Sequence, residues 1–474
     1  MALPKQSEDF PGWYQEVVKQ ADLAENSLAR GTMVVKPYGW AIWERIQAAL
    51  DERIKATGHE NLQFPLFIPH RLIEREAEHI EGFAPEIAVV THAGGEKLEE
   101  PLVIRPTSET IIWDTYAKWV QSYRDLPLLY NQWCNVVRWE LRPRLFLRTT
   151  EFYWQEGHTA HETADEAMAE ARMILQDVYR DVMERVIGLA IRPGRKTAAE
   201  RFPGAEETFT CEALMRDGKA LQASTSHYLG QNFAKAYGVQ FQGRGGDLEH
   251  PYATSWGATT RLVGGLIMSH GDDTGLRLPP ALAPHQVVIV PIYRTEEERS
   301  RVLEAADKIT ADMTGIRVKI DAREEQRPGY KFNEWELKGV PVRLELGPRD
   351  LDAEQATVSR RDTMEKGPHP LPGLADHVRG LMDEIQAGLK GQAETFTNEH
   401  TTRPDSYDEM RGFLEASGGF AVAPWCASAD CEARVKAETK ATIRYLPLDQ
   451  ADPGGPCIVC GQPGTEVAAW ARAY

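Results

Sequence analysis

Arg138, Trp139 and Glu140 close an apolar, strand-like run, and Arg148 and Phe152 follow after a loop. Two guanidinium groups can grip phosphate oxygens bidentately, a carboxylate can accept from an exocyclic amine, and a phenyl ring can stack on a purine. At these offsets the residues could bracket a nucleotide; salt bridges at a strand end are the other reading. A second cluster pairs Cys426 with Cys431 and Cys457 with Cys460. Two close pairs of thiolates are the donor set of a tetrahedral structural zinc site, whose role is folding rather than catalysis. Cys134 and Cys211 stand apart and read as small buried hydrophobes. His158, His161 and Glu162 lack the His-Glu-x-x-His spacing of a zinc hydrolase, HGDD at 270–273 reads as a turn, and GRGGD at 243–247 reads as a hairpin loop.

Such side chains need rigid supports. From Tyr38 to Ile54, Ile42, Ile46, Ala49 and Ile54 recur at helical spacing, Gly58 stops the helix, and NLQFPLFIP reads as a strand. Pro65 within that run has no N–H to donate, which suits an edge or a bulge facing something other than a sheet neighbour, a dimer partner being one candidate. Runs at 102–105, 129–138, 150–156, 208–214 and 219–225 predict further strands. Between them a capping box, Thr163 to Glu166, opens a helix that turns Ala167, Ala171, Ile174, Val178 and Val182 inward. The Pro-rich LPPALAPH is a linker, and after it strands and helices alternate, which predicts a small sheet with parallel pairs and flanking helices. A polar stretch from about 391, GQAETFTNEHTT, leads into the cysteine-bearing segment. The expected class is α+β, in units 1–283, 284–390 and 391–474.

A length of 474 residues fits about three domains. With 42% hydrophobic and 26% charged residues, neither wholesale disorder nor a membrane-embedded body is expected, and the longest apolar runs fall far short of a bilayer span. The N-terminus lacks the apolar stretch of a signal peptide, so cytoplasmic residence is expected. A net charge of −17 argues against non-specific polyanion binding while leaving room for a local basic face.

The arginine, acid, loop, arginine, phenylalanine layout resembles the second signature motif of the class II aminoacyl-tRNA synthetases. The helix and strand ending at Pro65 resemble the first motif, and GATTRLVGGLIM at 257–268 resembles the third, with Thr259, Thr260 and Arg261 where most members carry Gly-Glu-Arg. That departure, with RPTSE at 105–109, WQEGH at 154–158 and TSHYLGQNF at 225–233, is similar to the prolyl-tRNA synthetase family. The resemblance implies an antiparallel-sheet catalytic domain, an α/β anticodon-binding domain and a small zinc-binding α/β C-terminal domain. It also implies a homodimer that activates L-proline with ATP and Mg2+ and charges tRNA(Pro). Only about 65 residues separate His158 from Ser224, so the editing insertion of the bacterial-type enzymes is expected to be absent.

By the same resemblance, Arg138 bridges the proline carboxylate and the α-phosphate, while Glu140 and Phe152 hold the adenine. Arg148 and Thr149 meet the phosphates, and Arg261 covers the other purine face. Gln222 and Thr225 fall where the family contacts ATP and magnesium, beside Thr259. Thr107 and Glu109 would receive the secondary ammonium, whose two N–H donors suit one hydroxyl and one carboxylate, with His227 alongside. Trp154, Glu156 and His158 match the amino-acid pocket, with ordinary sheet packing as the alternative for Trp154 and Glu156. No general base is expected in activation, because the attacking carboxylate is already ionised. Glu345, Arg349, Asp350 and Arg360, with Arg361 and Lys366 nearby, would read unstacked guanine edges and their phosphates, against a solvated charged face as the alternative. The Cys-x4-Cys half and Tyr474 resemble the archaeal and eukaryotic-like form, in which the terminal carboxylate approaches the active site. A catalytically inactive paralogue that only binds RNA is the rival reading.

Overall fold

Between Leu128 and Thr259 the chain alternates residues that need burial with polar ones, the period-2 pattern of strands with one open face. In the computed structural model, which describes residues 3–74, 87–450 and 452–474, these strands form the heart of one eleven-stranded sheet. Across it run Thr401–Thr402, Phe420–Trp425, Glu466–Ala471, Thr442–Pro447, Ile191–Arg195, Glu207–Leu214, Ala220–Gly230, Tyr252–Thr259, Glu151–His161, Leu128–Val137 and Glu60–Asn61. Neighbours are antiparallel except the outermost pair at each end. The sheet therefore passes without a break from the strands of the signature motifs into the cysteine-bearing segment, joined where Leu446 and Pro447 pair with Arg195 and Gly194.

The closed face is buried by the helix Pro37–Ala56, through Ile42, Trp43 and Ile46, and by the helix Arg261–His270, through Leu262 and Leu266. The third covering helix starts at Ala164 with the expected reciprocal cap between Thr163 and Glu166. After Met173 its backbone widens into i→i+5 turns and ends at Gly188, yet Ile174, Val178 and Val182 remain buried as the sequence predicts.

Within this core Trp256 lies across from Gly157, its ring flanked edge-on by His59 and Tyr179. A Cβ on residue 157 would overlap the indole, which has no room to retreat. Gly157→Ala is expected to cost about 1–3 kcal/mol and lower the thermal midpoint by several degrees, a shift that differential scanning calorimetry reads directly.

The middle unit has a five-stranded sheet in the order Val318–Ile320, Val287–Pro291, Val342–Leu346, Gln355–Arg360, Lys366–Pro370. The first three strands are parallel and the last two antiparallel, with helices Glu296–Asp312 and Pro328–Leu337 flanking them.

Two sequence expectations need correction. The polar stretch beginning near 391 is the last part of a helix, Leu374–Glu399, which buries Leu381, Ile385, Leu389, Ala393 and Thr397 as a narrow stripe. NLQFPLFIP is not one strand: Glu60–Asn61 joins the large sheet and Phe67–Pro69 joins a separate three-stranded sheet. Pro65 sits where the chain changes sheets, and the buried Arg105 guanidinium binds the carbonyls of Phe64 and Pro65 there.

Candidate active site

The open face of the sheet presents rows of side chains set by strand register. Thr208, His227, Ser255 and His158 stand opposite one another in the first row, and Thr210, Thr225, Gly257, Glu156 and Gln132 in the second. The third has Glu212 and Gln222 on one side and Thr259, Trp154 and Cys134 on the other. A cavity of about 420 Å³ lies over these rows. Every catalytic, amino-acid and nucleotide position singled out from sequence lines it: Thr107 and Glu109 from the start of the helix Glu109–Trp119, Arg138, Glu140, Arg148 and Thr149 from the loop between two strands, and Phe152, Trp154, Glu156, His158, Gln222, Thr225, His227, Thr259 and Arg261 from the sheet and the helix that follows it.

One end is acidic and enclosed. Glu109 and Thr107 are buried and hydrogen-bonded to each other. The Glu156 carboxylate is saturated from within, accepting from Ser108 and Gln132, meeting His158 Nε2 at 2.8 Å and lying 3.4 Å from Cys134 Sγ. Cys134 is thus buried, as expected, and also accepts the Trp154 indole N–H at 3.1 Å. His158 Nδ1 is buried and has no hydrogen-bond partner among the described residues. His227 meets the Thr208 hydroxyl through Nδ1 at 2.9 Å and packs on Phe202 at 4.7 Å. Burial, reinforced by His158, lowers its pKa to about 3, so it is neutral at pH 7.

The Glu156–His158 pair has a stability signature. Burial alone would raise the Glu156 pKa, but His158 and the Ser108 and Gln132 hydrogen bonds outweigh it and hold the carboxyl below its usual 4.5. Burial would likewise lower His158, but Glu156, with Glu109 behind it, raises it above 6.5. The carboxylate's contribution is present above pH 4.5 and is lost as pH falls through its depressed pKa; the imidazolium's is present below pH 6.5 and is lost as pH rises through its raised one. The stability gap between the wild type and His158→Gln should therefore be widest between pH 4.5 and 6.5 and narrow on both sides, about 3 kcal/mol at its maximum, as read by urea unfolding across pH.

The other end is cationic. Arg138 donates from Nε to the Pro106 carbonyl at 2.9 Å, and its Cζ lies 5.7 Å from the Phe152 ring centre and 5.4 Å from that of Trp154. Arg148 is half exposed and 3.8 Å from Glu140, which also accepts from the Arg142 N–H. Arg261 donates to the Leu147 carbonyl at 3.2 Å, and its backbone N–H donates to Thr259 Oγ1 at 3.0 Å. Burial first, then Arg148 and Arg138, lower its pKa to about 10, which leaves it charged at pH 7. Lys196, Arg201, Phe202 and Thr208 also line the cavity and escaped the sequence reading. KTAAERF at 196–202 carries no spacing that separates it from an ordinary loop.

Three features lie away from the cavity. The four thiols of Cys426, Cys431, Cys457 and Cys460 fall within 4.8 Å of one another, with Cys426 Sγ 3.7 Å from Cys431 Sγ and 3.6 Å from Cys460 Sγ. A tetrahedron of sulfurs about 2.3 Å from a zinc ion has edges of about 3.8 Å, so the donor set fits that metal. In the middle unit Glu345 is buried between Arg343 and Lys366, and Arg349 is exposed. Asp350 caps the Gly347 N–H, and Arg360 pairs with Asp362 and Glu384. Arg361 turns inward instead and binds Asp272 bidentately at 2.6 and 2.8 Å, joining this unit to the turn after the helix Arg261–His270. That turn is the HGDD segment, closed by Asp272 and Gly275. Tyr474 packs beside Tyr14, Arg144 and Leu147, the last of which also lines the cavity.

Comparison with known proteins finds matches for three segments and for the chain as a whole. Residues 92–270 match the class II tRNA synthetase core domain of the G, H, P, S and T enzymes, 286–381 an anticodon binding domain, and 407–474 the prolyl-tRNA synthetase C-terminal domain. The chain is 52% identical over 474 residues to proline–tRNA ligase 2 of Clostridioides difficile, covering all of this chain and 98% of that one. It is 53% identical over 488 residues to the proline–tRNA ligase of Porphyromonas gingivalis, covering all of this chain and 99% of the other. The crystal structure of the Cryptosporidium parvum prolyl-tRNA synthetase, complexed with halofuginone and AMPPNP, superposes with a TM-score of 0.95 over 99% of both chains at 39% identity. With matches along its whole length to the core, the anticodon unit and the C-terminal unit, the chain belongs to the prolyl-tRNA synthetases, the class II proline–tRNA ligases.

Proposed function

We propose that the cavity joins L-proline to ATP at its two chemically distinct ends and then hands the prolyl group to the 3′ end of tRNA(Pro). The observation that carries this reading is the division of one cavity into an enclosed end with Glu109, Glu156 and His158 and a cationic end with Arg138, Arg148 and Arg261. The proline ammonium lies against the Thr107 hydroxyl and the Glu109 carboxylate, and neutral His227 adds no repulsion. Trp154, fixed by its hydrogen bond to Cys134, forms a wall for the pyrrolidine ring. Glu156 acts through His158 and Ser108, since its oxygens are already engaged. Arg138 spans the junction, binding the proline carboxylate and the α-phosphate so that the attacking oxygen and the phosphorus are held together. Glu140 and Phe152 hold the adenine, and Arg261 covers its other face. Arg148 and Thr149 meet the phosphates. Mg2+ entering with ATP, near Gln222, Thr225 and Thr259, offsets triphosphate charge.

The middle unit reads the anticodon through Glu345, Arg349, Asp350 and Arg360, and the cysteine cluster holds a structural Zn2+. The enzyme acts in the cytoplasm as a homodimer, for which exposed Phe67, Val89 and Trp119 offer apolar surface. Among the described residues no helix is long and apolar enough to cross a membrane. The test is single-turnover charging of tRNA(Pro) transcripts with labelled proline. Charging that falls steeply when either anticodon guanine is replaced is the expected result; charging of unrelated tRNAs at the same rate would contradict it.

A further inference from the structure

Arg444 belongs to the cysteine-bearing unit, yet its guanidinium ends in the catalytic sheet. The strands of the two units pair at Leu446 with Arg195 and Pro447 with Gly194, and Ala220 bridges to Ala473. Two register breaks lie in the strands around this seam. Ala223 is the extra residue between the pairs Cys211–Ser224 and Glu212–Gln222, and Arg444 is the extra residue between Ile443–Trp470 and Tyr445–Ala469. Bulges re-aim side chains, and beside these two the Glu212 and Arg444 side chains meet. Arg444 Nη2 and Nε lie 3.1 and 3.2 Å from the two Glu212 oxygens. Lys196 Nζ donates to Glu212 Oε1 at 2.7 Å and to the Arg444 carbonyl at 2.8 Å, and Thr210 adds a hydrogen bond at 3.1 Å. The Lys196 and Glu212 side chains are at most 1% exposed and that of Arg444 is 8% exposed.

Two cations on one carboxylate leave this buried trio with one positive charge over, and Glu200, 21% exposed and also lining the cavity, meets it from the solvent side, 3.8 Å from Arg444 Nη1. Lys196 lines the cavity, and Glu212 stands opposite Gln222, which lines it too. A buried ion cluster is a poor source of stability, because the desolvation of its members offsets their attraction. What it does supply is a fixed charge in a water-poor wall, where charge acts most strongly on a bound anion. The Arg261 guanidinium, in the same cavity, feels both Glu212 and, less strongly, Arg444.

We propose that Arg444 is a positioning residue for the ATP end of the cavity: by neutralising Glu212 it frees the charge of Lys196 to act on the triphosphate. This rests on the ATP reading given above, and it makes the cysteine-bearing unit a part of proline activation rather than an appendage.

The test is proline-dependent ATP–pyrophosphate exchange by full-length, zinc-loaded protein, with KM measured separately for ATP and proline. Arg444→Met removes one unit of charge from the C-terminal side, and Lys196→Met removes the same unit from the catalytic side, together with its hydrogen bond to the Arg444 carbonyl. Both should raise the ATP KM about 10-fold with the proline KM changed less than about 2-fold. Arg444→Met combined with Glu212→Gln restores the surplus charge and should bring the ATP KM back to within about 3-fold of wild type. An ATP KM unchanged in both single variants, or ATP and proline KM values rising together, would overturn the inference and leave Arg444 a docking contact. A folded wild type with no exchange would overturn the ATP reading and this inference with it, whereas wild-type exchange with a flat ATP KM overturns this inference alone.

Discussion

Replacing Arg138 with alanine will reduce proline-dependent ATP–pyrophosphate exchange about a thousandfold while leaving the fold and the metal content unchanged. Activation brings a carboxylate onto a phosphorus already surrounded by anionic oxygens, so the barrier is dominated by charge that must be met by cations held in place beforehand. Arg138 is held in place: its Nε is fixed to the Pro106 carbonyl, and its guanidinium plane lies near Phe152 and Trp154. The ordering of its long side chain is therefore complete before substrate arrives. Arg138→Lys keeps the charge but loses the planar fork, and an intermediate loss of about a hundredfold is expected. Circular dichroism and zinc analysis of the purified variants separate a catalytic loss from a folding loss. Exchange above a tenth of wild type in Arg138→Ala would remove this residue from the centre of the mechanism.

Stripping the zinc proposed for the cysteine cluster will unfold the C-terminal unit. Its core gathers Met410, Leu414, Trp425, Val435 and Trp470 around the cysteines, and the described residues between the last two strands form no strand or helix. Structural zinc contributes about 10–16 kcal/mol of apparent binding energy in zinc-finger peptides, more than any single side chain here can replace. Burial would raise the pKa of the Cys457 thiol, but the backbone N–H groups of Val459, Cys460 and Cys426 lower it to about 7. Chelation at neutral pH, or Cys457→Ser, should release about one zinc per chain, abolish one unfolding transition and open residues 407–474 to protease. The Lys196–Glu212–Arg444 cluster loses one member when that unit detaches, so ATP binding should weaken with it. A metal-free chain that melts at the same temperature would show that the thiols hold no structural ion.

Much of the site was legible because its chemistry is written in residue types at short spacing. Arg138, Glu140, Arg148 and Phe152 lie within one strand-loop-strand segment, and register alone then carries Glu156 and His158 into line with Gly257 and Ser255. The cysteine pairs were legible for the same reason. What escaped depends on contacts far apart in sequence. Lys196 and Arg444 have no motif, and only the folded sheet brings them to Glu212. The helix up to Glu399 was obscured because its buried stripe is narrow and its other faces are polar, so composition outweighed period. Pro65 marked an interruption in the sheet, but its register could not say that the chain there leaves one sheet for another. Arg361 lay in a run of charges suited to RNA; its partner Asp272 comes from a turn 89 residues earlier, and only the folded chain shows that pairing.

The most direct measurement is ATP–pyrophosphate exchange by the zinc-loaded protein with each of the twenty amino acids in turn. Exchange driven chiefly by proline, and lost with Arg138→Ala, is the result expected from a cavity whose enclosed end takes a secondary ammonium and whose cationic end takes a triphosphate. A folded, metal-loaded protein that binds tRNA but exchanges with no amino acid would contradict the account and mark the chain as an RNA-binding relative with an inactive core.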